Sequence, residues 1–302
     1  MRSLLLFLSR RKALRRWFEA SAPARRLYAR FIAGETLAEA LAAAERITRE
    51  GIALTLDHLG ENVTSLDEAA RSRDVCVNAL SEMAARKIDG NVSIKLTQFG
   101  LDISAEHCRE NVAKLVERAR DLGRFVRVDM ESSAYTERTI QLVCDLHSQF
   151  GAVGTVIQAY LRRSEQDIEM LCRRGVRVRL CKGAYLEPAE VAFQKKTEVD
   201  RNFVKLMKML LTSGPYPAIA THDERIIEEA KSFVRERGIS RDCFEFQMLY
   251  GIRRDLQKRL VAEDFRLRLY VPFGKAWYPY FMRRLAERPA NLVFVARNLF
   301  RP

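Results

Sequence analysis

From residue 52 to residue 274 the chain repeats one pattern: a short apolar or alternating run, then a longer stretch with apolar residues at helical spacing. The short runs read "IALTLDHLG", "NVSIKLTQFG", "FVRVDMES", "TVIQAY", "VRVRLCKGAY", "PAIATHD", "FEFQML" and "LRLYVPFG", starting near residues 52, 91, 125, 154, 176, 217, 244 and 267. Most intervals span about 25–40 residues, the length a strand–helix unit requires. Eight such units in roughly 250 residues predict an α/β fold, a (β/α)8 TIM-type barrel; a doubly wound sheet would not need eight. Ahead of them, "ETLAEALAAAERITREG" (35–51) predicts an amphipathic helix closed by Gly51. After them, "WYPYFMRRLAERPAN" (277–291) predicts a short helix opened by Pro279, carrying Tyr280, Arg283 and Arg284 and, a turn later, Glu287. The expected organisation is a helical N-terminal extension over 1–50 and one catalytic barrel over 51–302.

A composition of 48% hydrophobic and 30% charged residues suits a soluble domain with a substantial core and excludes a disordered chain. The net charge of +13 is unevenly placed: residues 1–30 carry nine Lys/Arg and one acid, Glu19. The barrel is thus mildly basic and the excess belongs to the extension. Leu4, Phe7, Leu8, Leu14 and Phe18 fall near helical spacing among those arginines, which suits an interfacial helix on an anionic membrane; an organelle transit peptide and a solvated tail share the composition. No nucleic-acid motif accompanies the charge, and no apolar run reaches the length of a membrane span. The six cysteines are scattered with no CxxC, and with four histidines no metal cluster follows from spacing. Reduced, partly buried thiols are expected.

The unusual polar residues sit at or just after the strand ends: Asp57–His58, Lys95, Asp129, Gln158, Arg179, Lys182, Thr221–His222, Gln247 and Tyr270. A charge buried in a parallel sheet is costly unless paired, and convergence on the carboxyl-end rim would pair these groups with one another or with a ligand. Lys95 fits a Schiff-base, an anion-binding or a merely paired lysine. Asp129 fits an arginine's structural partner or an electrostatic organiser of the site. Asp57, His58 and Glu61 read as a helix-cap and loop cluster. Arg177 and Arg179 alternate within one strand and Lys182–Gly183 follow, a base and an exposed backbone that can cradle an anion. Thr221 or Asp223 is placed to cap the next helix. Arg283 and Arg284 lie toward the positive end of their helix, an awkward place for cations unless an anion comes to them. These residues describe a barrel enzyme that binds an anion between Lys95 and Arg283/Arg284, with Tyr185, Tyr270 and Tyr280 walling a small substrate.

In order along the chain, "VSIKLTQFGLD", "VRVDMES", "IQAYL", "RLCKGAYLEP", "ATHDERII", "EFQMLYG" and "YVPFGKAWYPYFMRRLAERPAN" resemble the monofunctional, bacterial-type proline dehydrogenases over about residues 30–300. The resemblance implies a barrel that holds FAD noncovalently. It implies oxidation of L-proline to Δ1-pyrroline-5-carboxylate by hydride transfer to flavin N5, with a quinone as electron acceptor. It places Lys95, Arg283 and Arg284 on the substrate carboxylate and Leu180, Tyr185, Tyr270 and Tyr280 around the ring. Asp129 and Arg179 match charged active-site residues. Met130, Gln158, Arg179, Lys182, Gly183, Ala184, Thr221, His222, Gln247 and Glu287 fall on the flavin side, and Glu61 matches an acid that gates the empty site. Leu186 departs from relatives with an aromatic residue there. The expected location is the cytoplasm, with peripheral contact at the inner membrane through the basic extension, or the mitochondrion in a eukaryote. The alternatives are a class I aldolase-type Schiff-base enzyme built on Lys95 and a basic nucleic-acid- or membrane-binding protein.

Overall fold

The computed structural model describes residues 29–60 and 63–287, the last five of these as helix without their side chains. The strands are β1 (Ala53–His58), β2 (Gly90–Ile94), β3 (Val126–Val128), β4 (Val153–Gln158), β5 (Val178–Cys181), β6 (Ala218–Ala220), β7 (Glu245–Leu249) and β8 (Leu267–Phe273). Each begins within two residues of its expected start. They pair in parallel and in chain order, and β8 returns to pair with β1, closing the barrel. Helix α1 (Leu37–Arg49) precedes the first strand. Helices α2 (Leu66–Ala85), α3 (Ala105–Asp121), α4 (Thr136–Phe150), α5 (Ser164–Arg173), α6 (Lys196–Ser213), α7 (Glu224–Glu236), α8 (Arg254–Ala262) and α9 (Trp277–Glu287) each follow one strand.

Local chemistry sets the helix ends. Thr36 caps α1 by accepting from the Glu39 amide at 3.3 Å, and the Glu39 carboxylate returns to the Thr36 amide at 3.0 Å. Those backbone bonds hold the Glu39 carboxyl below its ordinary range. Ala40, Leu41, Ala44 and Ile47 form the buried stripe of α1, which packs on β1 and β8. The stretch before α1 also reaches α9: Trp277 Nε1 donates to Glu35 at 3.1 Å, and Phe31 lies 6.1 Å from the Phe281 ring. Helix α9 opens at Trp277 rather than at Pro279. Proline therefore occupies the first turn, where its missing N–H has no intrahelical partner to lose.

Strand alternation divides the chemistry. One face of each strand, including Leu54, Leu56, Val92, Ile94, Ile157, Leu180, Ile219 and Met248, packs into the apolar layer beneath the helices. The other face points into the barrel and is largely polar. Register aligns Thr55 with Asn91, Asp57 with Ser93, Ser93 with Arg127, and Gln247 with Arg268. Thr55 donates to Asn91 at 2.5 Å within this interior. Barrels of this type usually fill the space with branched aliphatic side chains; this one fills much of it with hydrogen-bonded polar groups.

Candidate active site

The interior network centres on Asp129, which follows β3 and is 8% exposed. Its Oδ1 accepts from Arg179 Nη1 at 2.8 Å and from Ser93 Oγ at 2.6 Å, while Oδ2 accepts from the Tyr270 hydroxyl at 2.7 Å. Arg179 also donates through Nε to Gln247 Oε1 at 2.5 Å, and its guanidinium lies 5.2 Å from the Tyr270 ring centre. The Gln247 amide then donates to Glu245 at 2.5 Å. Burial, together with the Asp129 and Asp57 charges, pushes the Tyr270 phenol well above its ordinary pKa, so it remains a donor at neutral pH. Arg179 is 5% exposed, and its Nη2 is buried without a hydrogen-bond partner. A buried guanidinium nitrogen without an acceptor is costly, so the rim supplies a donor suited to a bound group.

Lys95 leaves the end of β2 and faces Asp57, with Nζ 3.3 Å from Oδ1 and 3.5 Å from Oδ2. These are long contacts beside the roughly 2.7–2.9 Å of a tight ammonium–carboxylate bond. Asp57 is fully buried; burial raises its pKa, Lys95 opposes that, and the Asp129 charge adds to it. The sequence suggests a loop role for Asp57, but the alternation in "ALTLDH" turns Thr55 and Asp57 into the barrel. Burial lowers the pKa of His58, whose ring lies 5.3 Å from that of Phe273 at a tilt of 45°.

A second charged cluster flanks the rim. Lys182, just after β5, lies between Asp200 of α6 at 2.5 Å and Asp223, the cap of α7, at 2.9 Å. Lys196 closes on Asp200 from the outer side. Burial would raise both aspartates, but the lysine bonds and charges outweigh it and lower them. Asp223, rather than Thr221, caps α7 by accepting from the Arg225 amide; Thr221 in turn accepts from the Asp223 amide. Gly183 sits at φ +109°, and a Cβ there would strike the Tyr160 ring, so glycine is required on both counts.

The structure thus brings Lys95, Asp129, Arg179, Gln247 and Tyr270 to one end of the barrel, with Lys182 beside them. Gln158 is buried and donates to the Glu131 carbonyl at 2.9 Å, and Met130 is buried next to Asp129. Thr221 is buried, and Tyr280 of α9 is 7% exposed and adds to the field around Tyr270. Ala184, Tyr185 and Leu186 are exposed after Gly183. His222 accepts from the Leu249 amide through Nε2 at 2.9 Å. Leu180 departs from its expected place in the substrate wall. Strand parity puts it opposite Arg179, and it is fully buried in the apolar layer under the helices. Glu61 and the side chains of Arg283, Arg284 and Glu287 lie outside the described residues. Asp57 as the partner of Lys95, and Asp200 and Asp223 as a clamp on Lys182, are additions from the structure. Alternation could have revealed the first; the clamp joins two helix starts that no local spacing connects.

Among the described residues no group of acids, histidines and cysteines is placed to hold a metal. The six cysteines are free, and burial pushes the Cys76 and Cys108 thiols up to about 12.

At the carboxyl-end rim buried bases meet buried acids, and in a barrel of this kind that rim is where chemistry is done; the molecule is a (β/α)8-barrel enzyme. A family model described as proline dehydrogenase matches residues 40–297. Proline dehydrogenase 1 of Bacillus subtilis subsp. natto is 42% identical over 302 residues, covering 100% of this chain and 99% of the relative. The proline dehydrogenase of Deinococcus radiodurans is 43% identical over 277 residues, covering 90% of this chain and 89% of the relative. The chain belongs to the proline dehydrogenase family. Among solved structures, proline utilization A of Bdellovibrio bacteriovorus, inactivated by N-propargylglycine, superposes with a TM-score of 0.82 at 28% identity. That match covers 87% of this chain and 33% of the other, so the chain spans about a third of the solved protein.

Proposed function

We propose that this proline dehydrogenase oxidises L-proline to Δ1-pyrroline-5-carboxylate, with FAD as its cofactor and a quinone as final acceptor. The observation that carries the reading is the Asp129–Arg179–Tyr270 knot with Arg179 Nη2 left without a partner. FAD, when bound, supplies the two-electron acceptor for the hydride. Arg179 is the residue fitted to its polar edge, because two aspartates already compensate Lys182. Met130, Gln158, Lys182, Gly183, Ala184, Thr221, His222, Gln247 and Glu287 complete the cofactor side of the proposal.

Lys95, Arg283 and Arg284 hold the substrate carboxylate. The Lys95 ammonium, which faces Asp57 at 3.3 Å, is the cation this end of β2 offers to the arriving carboxylate. Asp129 fixes the Tyr270 hydroxyl, so the tyrosine ring and that of Tyr280 present defined faces to the pyrrolidine ring. Anchoring the carboxylate and walling the ring together fix one substrate pose, which removes orientational entropy from the barrier. The amine proton leaves to water: the Nε2 lone pair of His222 is committed to the Leu249 amide, so that nitrogen is no base. Glu61 gates the empty site. A Schiff-base enzyme would instead form a covalent adduct on Lys95 that borohydride traps, and no such adduct is expected here.

The spectrum of the purified protein decides. Flavin absorbance that bleaches on anaerobic addition of L-proline is expected; a colourless protein that cannot be reconstituted with FAD would refute the proposal. The organisation into an extension over 1–50 and a barrel over 51–302, and peripheral membrane contact through the basic extension, belong to the same reading. No described helix is long and apolar enough to cross a membrane, and residues 1–28 lie outside the description.

A further inference from the structure

At the opposite end of the barrel, the amino ends of the strands enclose a cavity of about 390 Å3, within the range of small-molecule pockets. Five arginines and two carboxylates line it. Two of the arginines have acid partners: Arg268 meets Glu245 at 2.9 Å, and Arg120 meets Asp121 at 2.8 Å. Arg124, Arg127 and Arg177 have no carboxylate within 4 Å among the described residues. Carbonyls position the first two: Arg124 donates to Ile88 O at 2.7 Å, and Arg127 donates to Arg177 O at 2.7 Å and Thr155 O at 3.0 Å. The Arg177 guanidinium lies 5.3 Å from the Phe125 ring centre and 5.4 Å from that of Tyr216.

Arg127 carries the strongest sign of a binding site. It is 3% exposed, yet its Nε is buried without any partner. Burial and the neighbouring Arg179 and Arg268 charges push its pKa down to about 9, against the pull of Glu245, which still leaves it charged at neutral pH. Gly154 makes room for this arrangement, since a Cβ there would collide with the Arg177 carbonyl and lie 3.0 Å from Arg127 Nη1. Carbonyls orient a guanidinium but do not neutralise it. Three adjacent positive groups in a partly enclosed space repel one another until an anion arrives.

We propose that this cavity is a second binding site, for a small multiply charged oxyanion such as a phosphate ester or polycarboxylate, held by Arg124, Arg127 and Arg177. Planar guanidinium forks match both phosphate and carboxylate oxygens. The aromatic pair beside Arg177 limits how that side chain can swing. The site stands apart from the proline reading and uses none of its residues.

The test is calorimetric titration of the FAD-loaded full chain with inorganic phosphate and, separately, with citrate, at fixed ionic strength. Saturable one-to-one binding of at least one probe is expected, and its identity tells phosphate from carboxylate recognition. Arg177→Glu, at an exposed position, should weaken binding by roughly tenfold or more and leave kcat/KM for L-proline unchanged. Arg284→Met, aimed at the proposed carboxylate subsite, should leave probe binding intact. Arg177→Gln with unchanged far-ultraviolet circular dichroism guards against a folding artefact. Absence of saturable binding, binding that survives Arg177→Glu, or binding that disappears in Arg284→Met overturns the proposal.

Discussion

At the carboxyl-end rim, Arg179 meets Asp129, Lys95 faces Asp57 and Lys182 lies between two aspartates. At the amino-end mouth, Arg124, Arg127 and Arg177 meet carbonyls and rings instead. The two ends share one interior and the same residue types, so burial alone does not separate them. The difference lies in what compensates each charge. A matched rim sets acids beside its bases and admits a substrate that carries both signs. An unmatched mouth keeps a standing preference for anions. The Arg268–Glu245–Gln247–Arg179 column joins the two.

Breaking the matched end should have the largest effect. Asp129→Ala removes the acceptor shared by Ser93, Arg179 and Tyr270 and leaves a guanidinium buried and unpaired. We expect kcat/KM for L-proline to fall by about three orders of magnitude, with loss of flavin content in the purified protein. A value within a factor of a few of wild type would show that the knot does not organise the site.

Next comes Glu245→Gln, which removes the buried negative charge paired with Arg268. Urea unfolding should show a loss of about 3–5 kcal/mol at neutral pH. Burial alone would raise Glu245, but Arg268, Gln247 and Arg127 outweigh it and hold its pKa below the ordinary 4.5. A carboxyl depressed in the folded state contributes stability above its unfolded pKa and loses it as pH falls through the folded value. The gap between wild type and variant should therefore narrow below pH 4.5; a constant gap would assign the loss to packing.

Arg284→Met tests whether the rim needs added cations beyond its matched pairs. Loss of one charge-assisted contact should lower kcat/KM by about 10- to 150-fold, chiefly through a higher KM. An unchanged KM removes Arg284 from the carboxylate site. The smallest effect should come from Arg127→Met at the unmatched mouth. Removing a buried charge that no carboxylate contacts offsets the carbonyl bonds lost with it, so stability should stay within about 1 kcal/mol of wild type. A loss as large as that of Glu245→Gln would erase the distinction between the two ends.

The barrel was legible because periodicity survives tertiary context: strand parity and unit length place eight strands almost where they lie. Lys95, Asp129, Arg179, Gln247 and Tyr270 stood out because a polar residue in a run of this kind has to find a partner. Position along a strand was harder to read. Arg177 and Arg179 share parity and read as two residues of one strand, but β5 begins at Val178, so Arg177 belongs to the other mouth. The family motif puts Leu180 in the substrate wall, whereas parity turns it toward the helices. Asp57 beside His58 and before Gly60 looks like a turn, and only the extra residues of β1 make it an interior acid. Pro279 marks a helix start correctly but not to the residue.

The interior column also limits how the sequence can drift. Gln247 uses both ends of its amide, accepting from Arg179 and donating to Glu245. Glutamate has the same shape and lies a single nucleotide change away, yet at this position it would set one carboxylate against another and withdraw the donor that Glu245 relies on. Shape-conserving exchange, elsewhere the mildest step open to a buried residue, is closed here. Descendants of this chain can alter the column by changing two links together, or by leaving it alone.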